Sequence, residues 1–114
     1  MFPFAMKDPA TTRIYSERAG DPDLEEALDQ FVLGLAERID RLQDAESAGD
    51  LEDLAKLAAD LVRDAQALGY PQLASAGLGV VEVAGQGDKA RVLGGVLTLT
   101  ELGYRIRLGH RGAF

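Results

Sequence analysis

Apolar side chains recur at intervals of three and four residues through most of the chain, and the recurrences fall into four blocks. In the first, Leu24, Leu28, Phe31, Leu35, Ile39 and Leu42 form one continuous stripe, the signature of a long amphipathic helix. Glu25, Glu26, Asp29, Glu37, Asp40 and Asp44 fall mostly outside it. Asp21-Pro22-Asp23 reads as the helix start, with Asp21 as cap and Pro22 at the first helical position. Ala48-Gly49-Asp50 ends this helix and caps the next. Leu51, Leu54, Leu57 or Ala58, Leu61, Ala65 and Leu68 carry the same period to Gly69. Tyr70-Pro71 then breaks the chain and opens a third block with Leu73, Ala76, Val80 and Val83 or Ala84. After Gly85-Gln86-Gly87-Asp88, the fourth block offers Val92, Leu93, Val96, Leu97, Thr100, Tyr104 and Leu108. Residues 1–20, with Pro3, Pro9 and Gly20, have no such period and read as an irregular N-terminal arm.

The third and fourth blocks admit a second reading. Val80-Val81-Glu82-Val83 and the run from Val92 to Thr100 are rich in β-branched residues, and glycines stand at 77, 79, 94, 95 and 103. A hairpin across Gly85–Asp88 competes with two helices. Glycine costs a helix interior up to about 1 kcal/mol against alanine, so these helices need neighbours that use the missing side chains for close approach. Local evidence narrowly favours helix. The predicted fold is therefore all-α, an up-down antiparallel four-helix bundle over 21–110, with a tail at 111–114.

Composition narrows the chemistry. At 114 residues the chain suits one domain, and it contains no cysteine, which excludes disulfides and thiolate chemistry. Twelve Lys and Arg against nineteen Asp and Glu leave a net charge of −7. That balance disfavours nucleic acid and anionic membranes. No apolar run approaches the roughly 20 residues of a membrane span, and the start lacks the pattern of a secretory signal, so a cytoplasmic location is expected. The charge is uneven: residues 1–50 carry the whole −7, whereas 51–114 sum to zero. The tail concentrates Arg105, Arg107, His110 and Arg111, which suits the negative end of a helix dipole.

Candidate catalytic patterns are sparse. Gly85-Gln86-Gly87-Asp88-Lys89-Ala90 after a β-branched run imitates a dinucleotide-binding turn, but 27 residues beyond Gly87 cannot supply the remaining βαβ units. It reads as an inter-helix turn. Asp60 and Asp64 share a helix face, but two carboxylates beside Arg63 make a poor cation site. The one histidine, His110, stands in Gly109-His110-Arg111-Gly112 and reads as a solvated, mobile tail residue. No enzyme activity, metal or cofactor is expected.

One resemblance runs through the bundle. Ile14-Tyr15-Ser16-Glu17, Asp21-Pro22-Asp23-Leu24, Phe31-Val32, Ala36-Glu37-Arg38, Ala48-Gly49-Asp50 and Leu54 resemble the opening of bacterial histidine-containing phosphotransfer (HPt) domains. Those domains pass phosphoryl groups between receiver domains in two-component phosphorelays. The likeness spans about residues 14–108. The family's second helix carries His-x-Leu-Lys-Gly, followed by small residues and a Gly-aromatic-Pro turn. Here Leu61, Ala65, Gly69, Tyr70 and Pro71 match and fix the register. Ala59 occupies the phosphoacceptor position, Val62 the lysine position and Arg63 the glycine position.

The resemblance thus implies a degenerate HPt domain, since alanine has no nucleophilic nitrogen. It implies a non-catalytic signalling module that binds a receiver domain or a histidine-kinase module. Its docking face would comprise Ala55, Ala59, Val62, Arg63 and Gln66. Two alternatives stand beside this one. Either His110 is the phosphoryl acceptor, or the chain is a structural or dimerisation bundle, its oligomeric state being open.

Overall fold

A computed structural model describes residues 12–111 of the chain. Residues 1–11 of the expected arm and 112–114 of the expected tail lie outside the described residues. Four helices follow in order: α1 (Glu25–Ala48), α2 (Leu51–Ala67), α3 (Pro71–Gly85) and α4 (Lys89–Arg111). No strand occurs among the described residues, so the hairpin reading of 80–100 is set aside. Each helix packs on two neighbours, α1 on α2 and α4, and α3 on α2 and α4, with no diagonal contact. Short turns join successive helices, and the result is an up-down four-helix bundle.

The core stripes follow the periodicity. α1 buries Leu28, Phe31, Val32, Leu35, Ile39, Leu42 and Ala45, and α2 buries Leu54, Ala58, Leu61, Val62 and Ala65. α1 starts later than the Asp-Pro-Asp signal suggests. Asp21 accepts the amide of Asp23 on its own carboxylate (2.9 Å), and the Leu24 amide bonds to the Asp21 carbonyl (3.0 Å). These bonds close a turn ahead of the helix, and Leu24 becomes the cap position without a side-chain cap. Glu25 and Glu26 still place negative charge at the positive helix end. The next signal behaves as expected: α1 stops with Gly49 left-handed, and Asp50 accepts the Asp53 amide at 3.1 Å to cap α2.

The glycines explain why a β-prone stretch is helical. A Cβ on Gly77 would lie 2.6 Å from Val62 Cγ2, and one on Gly95 would lie 2.6 Å from Val80 Cγ2. α3 is therefore seated against α2 and α4 where the two glycines lack side chains. The apolar surface removed there, at roughly 25 cal/mol per Å2, offsets the helix-propensity penalty.

α4 departs from its expected stripe. The core takes Val92, Val96, Leu99, Leu102 and Ile106. Leu93, Leu97 and Tyr104 remain 44, 59 and 43 % exposed. The sequence run had merged two adjacent faces of one helix, since residues one apart are only about 100° apart around the axis.

The described part of the arm is a strap over one end of the bundle. The Ile14 amide donates to the Arg105 carbonyl (3.1 Å), the Glu17 amide to the Gly69 carbonyl (2.8 Å), and the Ser16 hydroxyl to the Leu68 carbonyl. Arg105 Nε returns a bond to the Thr12 carbonyl at 2.8 Å. Ile14 is buried in the main core cluster, and Gly109 lies so close to its backbone that a side chain there would collide.

Candidate functional site

The α2 surface is built from helical spacing. With Leu54, Ala58, Leu61 and Ala65 turned inward, steps of 100° bring Ala55, Ala59 and Gln66 within about 40° of one another on the outer side. Ala59, Arg63 and Gln66 are exposed and Ala55 is half-buried. Val62, expected on the same face, is instead 6 % exposed and lies against Gly77. Its apolar side chain lies in the seam between α2 and α3. Leu78, the residue after Gly77, is 52 % exposed.

Arg63 reaches along its own helix, 3.2 Å to Asp60 and 3.7 Å to Asp64. Asp64 also accepts a hydrogen bond from Arg38 of α1 at 2.8 Å. The Arg38 guanidinium lies 5.8 Å from the Phe31 ring centre, and Phe31 stacks on Tyr70 with centroids 5.6 Å apart. Arg63 is therefore the solvent end of a chain of contacts across the α1–α2 seam. Asp60 and Asp64 are both engaged with arginine, which accounts for their spacing without a cation. No group of three or more His, Asp or Glu side chains among the described residues is placed to hold a metal ion.

The Gly69-Tyr70-Pro71 turn has a local explanation for every residue. Gly69 adopts φ +82°, and a Cβ there would meet Arg18 and Ser16 of the strap at under 3 Å. Tyr70 is buried, and burial pushes its phenol up from the ordinary value. Pro71 occupies the first turn of α3.

His110 belongs to the last turn of α4 rather than to a loose tail. Its Nε2 lies 2.8 Å from Asp29 Oδ1 on α1. Beside it opens a groove of about 480 Å3 between the strap and the helix ends, bordered by Tyr15, Ser16, Asp21, Glu25 and Tyr70. Neither the strap nor the Arg38–Asp64 contact was read from the sequence. Ile14 as an isolated apolar residue, and Gly69 and Gly109 as the glycines it runs between, were the available signals.

The patch formed by Ala55, Ala59, Arg63 and Gln66 offers two methyl groups, an amide and a guanidinium. Comparison with known proteins adds no identity: no family model matches the chain, and no curated protein or solved structure matches it. No helix among the described residues is long and apolar enough to cross a membrane.

Proposed function

We propose that the chain is an HPt-like signalling module that docks a receiver domain or a histidine-kinase module without accepting a phosphoryl group. The observation that carries this reading is the position of Ala59. It is exposed in the middle of α2 of an antiparallel four-helix bundle, ten residues before the Gly69-Tyr70-Pro71 turn, where the resembled family places its histidine. Methyl groups at Ala55 and Ala59 are cheap to desolvate, and Arg63 at their edge supplies a cation for the acidic surface of a receiver. The strap and the stacked Phe31–Tyr70 pair hold the turn that sets the end of this helix.

Phosphoryl acceptance by His110 has less support. Its Nε2 faces the Asp29 carboxylate, and Asp21 and Glu25 border the same groove. Three carboxylates oppose the approach of an anionic phosphoryl donor.

The test is an NMR titration of the labelled full chain with receiver domains and, separately, with histidine-kinase modules. The expected result is a set of shifts centred on Ala55, Ala59, Arg63 and Gln66, present with and without a phosphoryl mimic on the receiver and abolished by Ala59→Trp. Absence of shifts with every titrant, or shifts confined to another face, would overturn the reading.

A further inference from the structure

The groove between the strap and the ends of α1 and α4 is used neither by the core nor by the α2 surface. Its volume of about 480 Å3 falls within the ~300–1,000 Å3 usual for small-molecule sites. Ala19, Pro22 and Leu28 give it apolar walls, and Tyr15 and Tyr70 add two aromatic side chains. Tyr70 is 2 % exposed, and its ring is fixed by stacking on Phe31. Its hydroxyl has no hydrogen-bond partner among the described residues. Yet no side-chain oxygen or nitrogen there is both sealed from solvent and unpaired. The Tyr70 hydroxyl is therefore open, and the groove is what it opens onto. A phenol held rigidly with its hydrogen-bonding capacity unused is a contact made in advance for a ligand.

The charge around this phenol narrows the ligand. Asp21, Glu25 and Asp29 supply three carboxylates, and no lysine or arginine among the described residues lines the groove. The strap's Arg18 lies instead against Gly69. Asp29 faces His110 at 2.8 Å, whereas Asp21 and Glu25 have no cationic partner within ion-pair distance among the described residues. The positive end of α1 and the negative end of α4 both border the groove, so their dipoles offset each other and the carboxylates set the sign. A bare metal ion is a poor match, since no three carboxylate or histidine groups among the described residues are placed to hold one. Carboxylates, aromatic rings and a phenol oxygen able to accept a hydrogen bond suit an ammonium group carried on an apolar body.

We propose that this groove binds a small organic amine, its ammonium held by Asp21, Glu25 and the Tyr70 hydroxyl and its apolar body by Tyr15, Pro22 and Leu28. None of the residues proposed for the α2 docking face lines the groove, so the two readings stand or fall separately.

The probe is phenethylamine, titrated into the full chain by calorimetry and NMR, with phenethyl alcohol and hydrocinnamate as neutral and anionic counterparts of like shape. The expected result is saturable one-to-one binding of the amine, with a Kd of about 1 mM or tighter, as suits a ligand of so few atoms. Shifts should centre on Tyr15, Glu25, Tyr70 and His110. The alcohol and the carboxylate should bind at least about tenfold more weakly. Tyr70→Phe keeps the stacked ring and should weaken amine binding about tenfold, as for one hydrogen bond to a charged group. Asp21→Asn with Glu25→Gln keeps the side-chain shapes and an acceptor for the Asp23 amide. This pair should weaken binding about tenfold or more and flatten its salt dependence, whereas Ala59→Trp should leave it unchanged. Circular dichroism checks that each variant is folded. Four results would overturn the proposal: no saturable binding of the amine, equal binding of the alcohol, unchanged affinity in either groove variant, or shifts centred away from the groove.

Discussion

Placing a lysine at Val62 is the sharpest probe of how this bundle is built. Val62 is 6 % exposed, and its Cγ2 sits 2.6 Å from where a side chain on Gly77 would begin. Replacing it with lysine removes a buried valine, worth about 1.5–2 kcal/mol. The longer side chain must also enter a seam closed by the α3 backbone, and overpacking of that kind costs about 1–3 kcal/mol. The amine can reach solvent along the Ala59 side by extending its methylene stem, so no buried charge is added. Val62→Lys should therefore lose about 3 kcal/mol, a large part of the ~5–15 kcal/mol that holds a domain together. On a chain of this size that is a drop in Tm of about 10 °C or more. The assay is urea and thermal unfolding followed by far-ultraviolet circular dichroism, with Ala59→His as the companion. Ala59→His stays on the exposed side of α2 and should cost only the helix-propensity difference, about 0.5 kcal/mol. A Val62→Lys variant within about 0.5 kcal/mol of the parent would refute the reasoning, because it would place position 62 on the surface.

Two further perturbations test the packing and the titration. Gly94 and Gly95 are adjacent in α4, but only Gly95 meets a neighbour, Val80, at 2.6 Å from a built Cβ. Gly94→Ala should stabilise the chain by up to about 1 kcal/mol through helix propensity, while Gly95→Ala should destabilise it by overpacking; equal signs in urea unfolding would contradict the α3–α4 seam. Burial raises the Tyr70 phenol above its ordinary value of 10.0, so the folded chain keeps that proton after the unfolded chain has lost it. The contribution is full below about pH 10 and is lost as pH rises through the folded-state value. Tyr70→Phe should flatten the alkaline fall in urea midpoint between about pH 9 and 11, and identical slopes in the two proteins would remove burial as the cause.

The parts of this fold that were legible in the chain are those fixed by local rules. The stripes of α1 and α2, the Asp50 cap and Pro71 at the start of α3 depend on spacing and on backbone chemistry within a few residues. The helical state of 80–100 was only narrowly legible, because the force that settles it is tertiary: Gly77 and Gly95 gain their value from Val62 and Val80 on other helices. The same limit explains Val62. It was expected on the outer face of α2, but whether a position between the core and the surface is covered depends on how near α3 comes, and Gly77 on α3 decides that. α4 was misread for a different reason. Two apolar faces side by side give a run without contrast, and periodicity cannot say which face meets the core. His110 was assigned to a tail from its place near the end of the sequence, whereas the Asp29 contact that anchors it joins the last turn of α4 to the start of α1, segments far apart in the chain.

Arg63 joins the packing of α2 to what its surface can recognise. Its guanidinium lies 3.2 Å from Asp60 and 3.7 Å from Asp64, and Asp64 is already held by Arg38 at 2.8 Å. Ion pairs between exposed side chains contribute about 0–1 kcal/mol, so a carboxylate offered by a partner competes with these two on nearly even terms. The arginine is thus held on the outer side of α2 by weak pairs within its own helix. Affinity at such a face rests on apolar contact at the alanines and on long-range attraction at the arginine. The first term is indifferent to salt and the second is screened by it. Because no side chain among Ala55, Ala59, Val62, Arg63 and Gln66 carries a nucleophile that could take up a phosphoryl group as histidine does, the proposed recognition through α2 would be tuned by ionic strength and not by phosphorylation at that face.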